Sequence, residues 1–310
     1  MILRGVICAL VLFGSARADA FEPGVRAEMT PVDFGVSNDA RVEFRGALAI
    51  SPPFSGFGGV SGLAALGPRD FVAVTDRGLW LRLSIEIANG WLADRVYVSR
   101  TPILDGFGDP VVGGGQDAED LTILPDTGAL MISFESDHRI WRVDAPGGIP
   151  HAGLRHPGWA GYSINTGIEA LARDAEDRIW GIKEQSRGQG WPFPVFVWDS
   201  GSWVMKALPR PTKHAVTGAA FGPDGWMYLT QRDFSFANGF DFRLRRVRWD
   251  EGAEPVEDEL LLELSAESGI DNIEAIEVWE EDGEIRILLA SDDNFFPLQR
   301  NILALFVLRE

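Results

Sequence analysis

The chain has 310 residues, 45% hydrophobic and 24% charged, a globular mixture that excludes wholesale disorder. Its 28 Lys and Arg against 46 Asp and Glu leave a net charge of −18, which argues against nucleic acid or an anionic membrane surface as a partner. With 35 Gly, 18 Pro and 11 Trp, the composition favours many turns and aromatic packing over long helices.

Met1 to Ala20 has the layout of a secretory signal peptide. Arg4 is followed by an apolar run from Val6 to Phe13, then by Ala18-Asp19-Ala20 as a cleavage site. The run is shorter than the roughly 18 apolar residues that a spanning helix needs. The expectation is a periplasmic or secreted protein with no membrane anchor after cleavage, forming a single domain over residues 21–310. Cys8, the only cysteine, falls in the removed segment, so the mature chain is expected to have no disulfide, thiol nucleophile or cysteine metal site.

A short pattern then recurs five times. It runs apolar, then Glu, Ser or Thr, then usually a small residue, then apolar. The copies are Val60-Ser61-Gly62-Leu63, Ala118-Glu119-Asp120-Leu121, Ile168-Glu169-Ala170-Leu171, Val216-Thr217-Gly218-Ala219 and Ile273-Glu274-Ala275-Ile276. Each leads to a turn signal, such as Pro125-Asp126-Thr127-Gly128 or Pro223-Asp224-Gly225. Each turn is followed by an apolar run: Phe71 to Thr75, Leu130 to Phe134, Ile179 to Ile182, Met227 to Thr230 and Ile285 to Ala290. Strand, tight turn and strand make a β-hairpin. Third strands follow at Leu79 to Ile85, Arg139 to Val143, Pro194 to Trp198, Phe242 to Val247 and Ile302 to Leu308. Glu257 to Ser268 reads as either a short helix or an outer strand.

About 40–50 residues and four strands per repeat is the signature of a propeller blade. The predicted fold is an all-β β-propeller. Five blades are preferred; a sixth would have to lie in Glu86 to Gln116 or Ala145 to Thr166. A β-sandwich is the runner-up, but it does not demand five similar hairpins. The strands Val42 to Ile50 and Ile302 to Leu308 are expected to pair and close the ring, which removes the open edge.

In such a ring the inner-strand starts and second-strand ends share one face. That gathers the acids Asp76, Glu119, Asp120, Glu135, Asp137, Glu169, Glu184, Asp233, Glu274, Asp292 and Asp293. So many carboxylates repel one another unless neutralised. Oxygen donors without cysteine favour Ca²⁺, with Mg²⁺ as the alternative. The candidate metal ligands are Glu119, Asp120, Glu135, Glu169, Glu274 and Asp292. Glu119, Glu169 and Glu274 share one repeat position and are the candidate catalytic residues. Arg77, Lys183, Lys213 and Arg232 lie on the same rim; Arg77, Lys183 and Arg232 are the candidate substrate-binding residues for an anionic group.

Other motifs are weaker. His151 and His156 have no evident third zinc ligand. His138 is a candidate acid or base. Gly113-Gly114-Gly115 lacks a following Gly-Lys-Ser/Thr. Trp159 and Trp191 are candidate stacking surfaces, whereas Trp80, Trp141, Trp180, Trp226 and Trp279 read as blade packing.

At these residues the chain resembles the phytase-like domain family, described as having esterase-like activity of phytase. The resemblance rests on Phe57-Gly58-Gly59-Val60-Ser61-Gly62-Leu63, Val74-Thr75-Asp76-Arg77, Asp117-Ala118-Glu119-Asp120-Leu121 and Phe134-Glu135-Ser136. It continues through Asn165-Thr166-Gly167-Ile168-Glu169-Ala170-Leu171, Asn272-Ile273-Glu274-Ala275-Ile276 and Ser291-Asp292-Asp293-Asn294-Phe295. It implies a propeller with functional acidic residues and a phosphoesterase or esterase role. The chain departs from a glutamate in every blade at Ser61 and Thr217.

Together these readings predict an exported, monomeric, metal-dependent hydrolase acting on a small anionic or ester substrate. The alternatives are a non-catalytic periplasmic binding propeller with a structural ion, or a Ca²⁺-dependent lactonase-like hydrolase, the last by analogy of fold alone.

Overall fold

The computed structural model describes residues 20–51, 53–163, 166–237 and 239–309. The signal-like segment up to residue 19, with Cys8, and the motif residue Asn165 lie outside them.

Each repeat copy opens the inner strand of one antiparallel sheet. The inner strands are Val60–Ala65, Ala118–Leu124, Ile168–Arg173, Ala215–Phe221 and Ile273–Glu281, for blades 1 to 5 in order. Second strands follow at Asp70–Thr75, Ala129–Phe134, Ile179–Lys183, Met227–Ser235 and Glu284–Ser291, and third strands at Leu79–Ala88, Arg139–Val143, Phe193–Asp199, Gly239–Arg248 and Asn301–Leu308. The protein is a five-bladed β-propeller. The two stretches that could have hidden a sixth blade instead carry the fourth strands of blades 1 and 2, Trp91–Pro102 and His151–Leu154. Glu257–Leu264 is an outer strand followed by a single 3-10 turn at Ala266–Ser268, so the helical alternative does not hold.

Closure occurs in blade 5. Val42–Ser51 pairs antiparallel with Asn301–Leu308, in a register that sets Ile50 opposite Asn301 and Val42 opposite Leu308. The ring therefore has no free third-strand edge in this blade.

The core is divided by interface. Five buried apolar clusters each join two neighbouring blades, as where Ile182 and Phe193 of blade 3 meet Met227 and Leu229 of blade 4. The alternation of each strand sends one set of apolar residues to each flanking blade. Aromatic pairs span the same seams, with the Phe71 and Trp279 rings 5.4 Å apart between blades 1 and 5. Gly62 lets two inner strands approach closely, because a Cβ there would come within 2.6 Å of the Asp120 Cα.

Candidate functional site at the acidic mouth of the axis

All five inner strands carry a β-bulge next to the repeat's polar residue. Val60 pairs with Thr75 and Gly62 with Val74, leaving Ser61 as the extra residue. Glu169, Thr217 and Glu274 occupy the same place in blades 3, 4 and 5. In blade 2 the Glu119-Asp120 pair stands opposite the single Ser133. A bulge bends its strand and re-aims a side chain. Here it turns one position of every blade toward the mouth of the central axis.

A second ring lies one step outward, where each second strand ends. Backbone N–H groups of Asp76, Glu135, Glu184 and Asp292 donate to the carbonyls of Gly59, Asp117, Gly167 and Asn272, which immediately precede the inner-strand pairings. In blade 4 the corresponding residue is Arg232, opposite Ala215. Four blades thus offer acids at this position and one offers a guanidinium.

Ser61 and Thr217 explain the blades without glutamate. Ser61 Oγ donates to the Ala118 carbonyl at 2.5 Å, and Thr217 Oγ1 donates to the Ile273 carbonyl at 2.9 Å. Each hydroxyl therefore ties its own bulge to the residue just before the next blade's glutamate, Glu119 or Glu274. These two positions anchor the backbone beside the neighbouring glutamate rather than supply a carboxylate.

The carboxylates of Asp76, Asp117, Glu119, Glu135, Glu169, Glu184, Glu274, Asp292 and Asp293 form one electrostatically connected group. Burial, with Glu169, Glu135, Asp117 and Glu274 nearby, holds Glu119 well above the usual carboxylate range. Burial and the surrounding glutamates do the same for Glu169, which hydrogen-bonds to Glu119 and Glu135. Burial likewise pushes Glu135 up to about 7, although its Oε1 accepts the Gly167 N–H at 2.6 Å. Asp76 is raised to about 7 by burial, against the pull of Arg77, and its Oδ1 is buried without a hydrogen-bond partner. Asp292 is raised to about 9 by burial and by Glu274. Gly59 makes room for this crowding, since a Cβ there would lie 2.1 Å from Asp76 Oδ1.

Within this group Asp117, Glu119 and Glu135 each present a carboxylate oxygen within 4.8 Å of the others, so the three could hold a metal ion. All the donors are hard oxygens, which suits Ca²⁺ or Mg²⁺. Asp117 is not among the candidate ligands expected from the sequence. It directly precedes the blade 2 motif, and the extra bulge residue brings it alongside Glu119.

Other expected residues are placed differently. Asp120 is turned into the body of the ring: it accepts from the Leu121 and Leu171 N–H groups at 2.7 and 2.8 Å, and from Ala219. It ties blades 2, 3 and 4 together at the axis. Asp137 pairs with Arg155 and Asp233 with Lys213 on exposed edges. Glu274 pairs with Arg232 at 2.9 Å and also accepts from Asn272 Nδ2 at 2.9 Å. Burial opposes the Arg232 charge, but Glu274, Glu169, Glu184 and Asp292 outweigh it and hold its pKa above the ordinary value. Arg77 lies 3.2 Å above the Phe295 ring centre, and Lys183 sits 4.4 Å from that of Tyr162.

His151 contacts Asp144 and His156 caps a 3-10 turn through the Gly158 N–H, so each has a partner of its own. His138 approaches the Ser163 carbonyl at 3.1 Å. Gly113–Gly115 is one 3-10 turn. Trp159 is buried against Phe196 and Trp203, whereas Trp191 is exposed beneath Arg187.

A five-bladed β-propeller with an acid-lined axial mouth is the class that fold and site define. The chain belongs to the phytase-like family, described as esterase-like activity of phytase, whose model matches residues 55–295. No curated protein matches it. Among solved structures it is similar to a putative glucose dehydrogenase-type oxidoreductase from Thermus thermophilus, with 16% identity, 86% of this chain and 99% of that one covered, and a TM-score of 0.43. It is also similar to a luciferin-regenerating enzyme, with 9% identity, 82% and 95% coverage and a TM-score of 0.45. A third is the hydrazine synthase of Kuenenia stuttgartiensis, with 12% identity, 86% and 81% coverage and a TM-score of 0.43.

Proposed function

We propose that this protein is an exported hydrolase that uses a divalent cation, Ca²⁺ by its donor set, to cleave a phosphoester or related ester. One observation carries the reading: Asp117, Glu119 and Glu135 bring three carboxylate oxygens within 4.8 Å of one another. Like charges held that close, with Glu135 buried and Asp117 and Glu119 half-buried, favour binding of protons or a cation. Export rests on the Met1 to Ala20 pattern.

In this reading Asp117, Glu119 and Glu135 hold the cation. When bound, it would lower the pKa of a coordinated water and offset charge on the ester's acid oxygens. Glu169, hydrogen-bonded to Glu119 and with its pKa raised by burial, is the residue that delivers a proton to the leaving oxygen. Arg232, fixed by Glu274, faces the anionic end of the substrate, and Lys183 supports it from blade 3.

The test is phosphate release from 4-nitrophenyl phosphate, phytate and a phosphodiester, with Ca²⁺ and after EDTA, beside a calorimetric Ca²⁺ titration. Turnover should need the cation, and Glu119→Gln should lose both turnover and Ca²⁺ binding. Ca²⁺ binding without turnover of any ester would make the acidic mouth a structural ion site in a binding protein. Turnover of lactones alone would favour the lactonase-like alternative.

A further inference from the structure

Beside the acidic mouth, on the rim of blade 5, lies a cavity of about 630 Å³. Its lining includes Phe54, Phe57, Phe295 and Phe296, with Thr30 at the outer edge and Asp293 at the inner one. The volume is that of a small-molecule site. Asp293 and Phe295 also belong to the acidic mouth: Asp293 takes part in the Asp76 and Asp292 electrostatics, and Phe295 supports the Arg77 guanidinium. The cavity and the acidic mouth therefore share Asp293 and Phe295.

The charges beside them limit what a substrate can carry. Of the three basic side chains at the mouth, Arg232 is paired with Glu274, Arg77 is laid on Phe295 and Lys183 is laid on Tyr162. They stand among nine carboxylates, Asp76, Asp117, Glu119, Glu135, Glu169, Glu184, Glu274, Asp292 and Asp293. A polyphosphorylated alcohol would set several further anions against these nine carboxylates with only three cations, one of them already paired, to meet them. A single ester group beside the ion, with an uncharged remainder, meets no such penalty. The four phenylalanines give the recess adjoining the mouth an apolar side.

We infer that the ester cleaved at this site carries one anionic group on an apolar, ring-sized alcohol, and that this alcohol lies in the phenylalanine-lined cavity between Thr30 and Asp293. The inference rests on the hydrolase reading and narrows its substrate class. Phe54, Phe57 and Phe296 line the apolar side of the cavity, with the Arg100 guanidinium 4.5 Å from the Phe54 ring centre, and Asp293 marks where the cavity meets the acidic mouth.

The test compares 2-phenylethyl phosphate with ethyl phosphate, whose leaving alcohols are similar in acidity, in the Ca²⁺-loaded protein. Binding of 2-naphthol is measured separately by fluorescence. Burial of the ring should raise kcat/KM by about ten- to hundredfold over the ethyl ester. Thr30→Trp, which fills the cavity from its exposed edge, should bring that ratio close to one and weaken 2-naphthol binding by a similar factor. Phe296→Ser, at a half-exposed position, should reduce both in the same direction. Equal rates for the two esters, a preference for phytate, or 2-naphthol binding untouched by Thr30→Trp would overturn the inference. If no ester is cleaved at all, the hydrolase reading fails, and cavity-dependent 2-naphthol binding alone decides whether the recess takes an apolar ring.

Discussion

Replacing Glu135 by Gln isolates the cost of a buried like-charge cluster. Glu135 is 7% exposed, so solvent screens it little. Its pKa rises from 4.5 to about 7 on folding, chiefly through burial. A carboxyl whose folded pKa is raised binds its proton more tightly in the native state than in the unfolded one. Below pH 4.5 it is protonated in both states and contributes nothing. As pH climbs from 4.5 through 7, the native state must hold the proton or bury the charge, and stability falls by about 3 kcal/mol. Asp76, raised to about 7, and Asp292, raised to about 9, extend the decline toward alkaline pH. Gln keeps an oxygen to accept the Gly167 N–H but carries no charge. In EDTA at pH 8.5, Glu135→Gln should therefore be more stable than the parent by as much as about 3 kcal/mol, and equal to it at pH 4.5. Saturating Ca²⁺ should reverse the order, because ligand at a thousandfold excess over Kd stabilises by about 4 kcal/mol and the variant has lost a ligand. Urea unfolding followed by tryptophan fluorescence, at both pH values with and without Ca²⁺, reads all four quantities. A Gln variant less stable than the parent in EDTA at pH 8.5 would refute the electrostatic account of this cluster.

Three further outcomes follow from the geometry. Asp120→Ala strands the Leu171 and Ala219 N–H groups at the axis and should cost roughly 2–4 kcal/mol in urea unfolding, while calorimetric Ca²⁺ stoichiometry stays unchanged. Arg232→Met removes the countercharge of Glu274, Glu169 and Glu184; Ca²⁺ should bind more tightly while KM for a phosphoester rises about tenfold, so the two readouts move in opposite senses. Deleting Asn301–Leu308 strips the partner of both Val42–Ser51 and Glu284–Ser291, and the near-ultraviolet circular dichroism of a packed ring should be lost.

The propeller was legible because its signals are local and repeated. A turn residue after each motif and a charged stop after each second strand mark the hairpin five times over. Closure was legible because Val42 to Ile50 has no hairpin of its own and Ile302 to Leu308 has no successor strand, and they do pair. The fourth strands were harder, since the outer edge faces solvent and lacks a clean polar–apolar alternation, as in Ser202–Leu208, where Trp203, Val204 and Met205 stand in a row and are half-buried or exposed. Within the site, phase alone could place Glu119, Glu169 and Glu274 at one mouth. It could not assign Asp120, because neighbouring residues on a strand face opposite ways and the side on which a bulge leaves each one is set by tertiary pairing. The same bulge hid Asp117. Asp137 and Asp233 shared the right phase, but Arg155 and Lys213 draw them away, and those ion pairs join distant parts of a loop or strand that no local pattern reports.

The clasp in blade 5 also dictates when this molecule can take shape. Val42–Ser51 is synthesised early, yet its partner Asn301–Leu308 emerges about 250 residues later. Until then the nascent chain can build separate hairpins but has no way to lock them into a circle, and an apolar ribbon stays unsheltered throughout translation. The ring can therefore close only after Asn301–Leu308 has joined the chain.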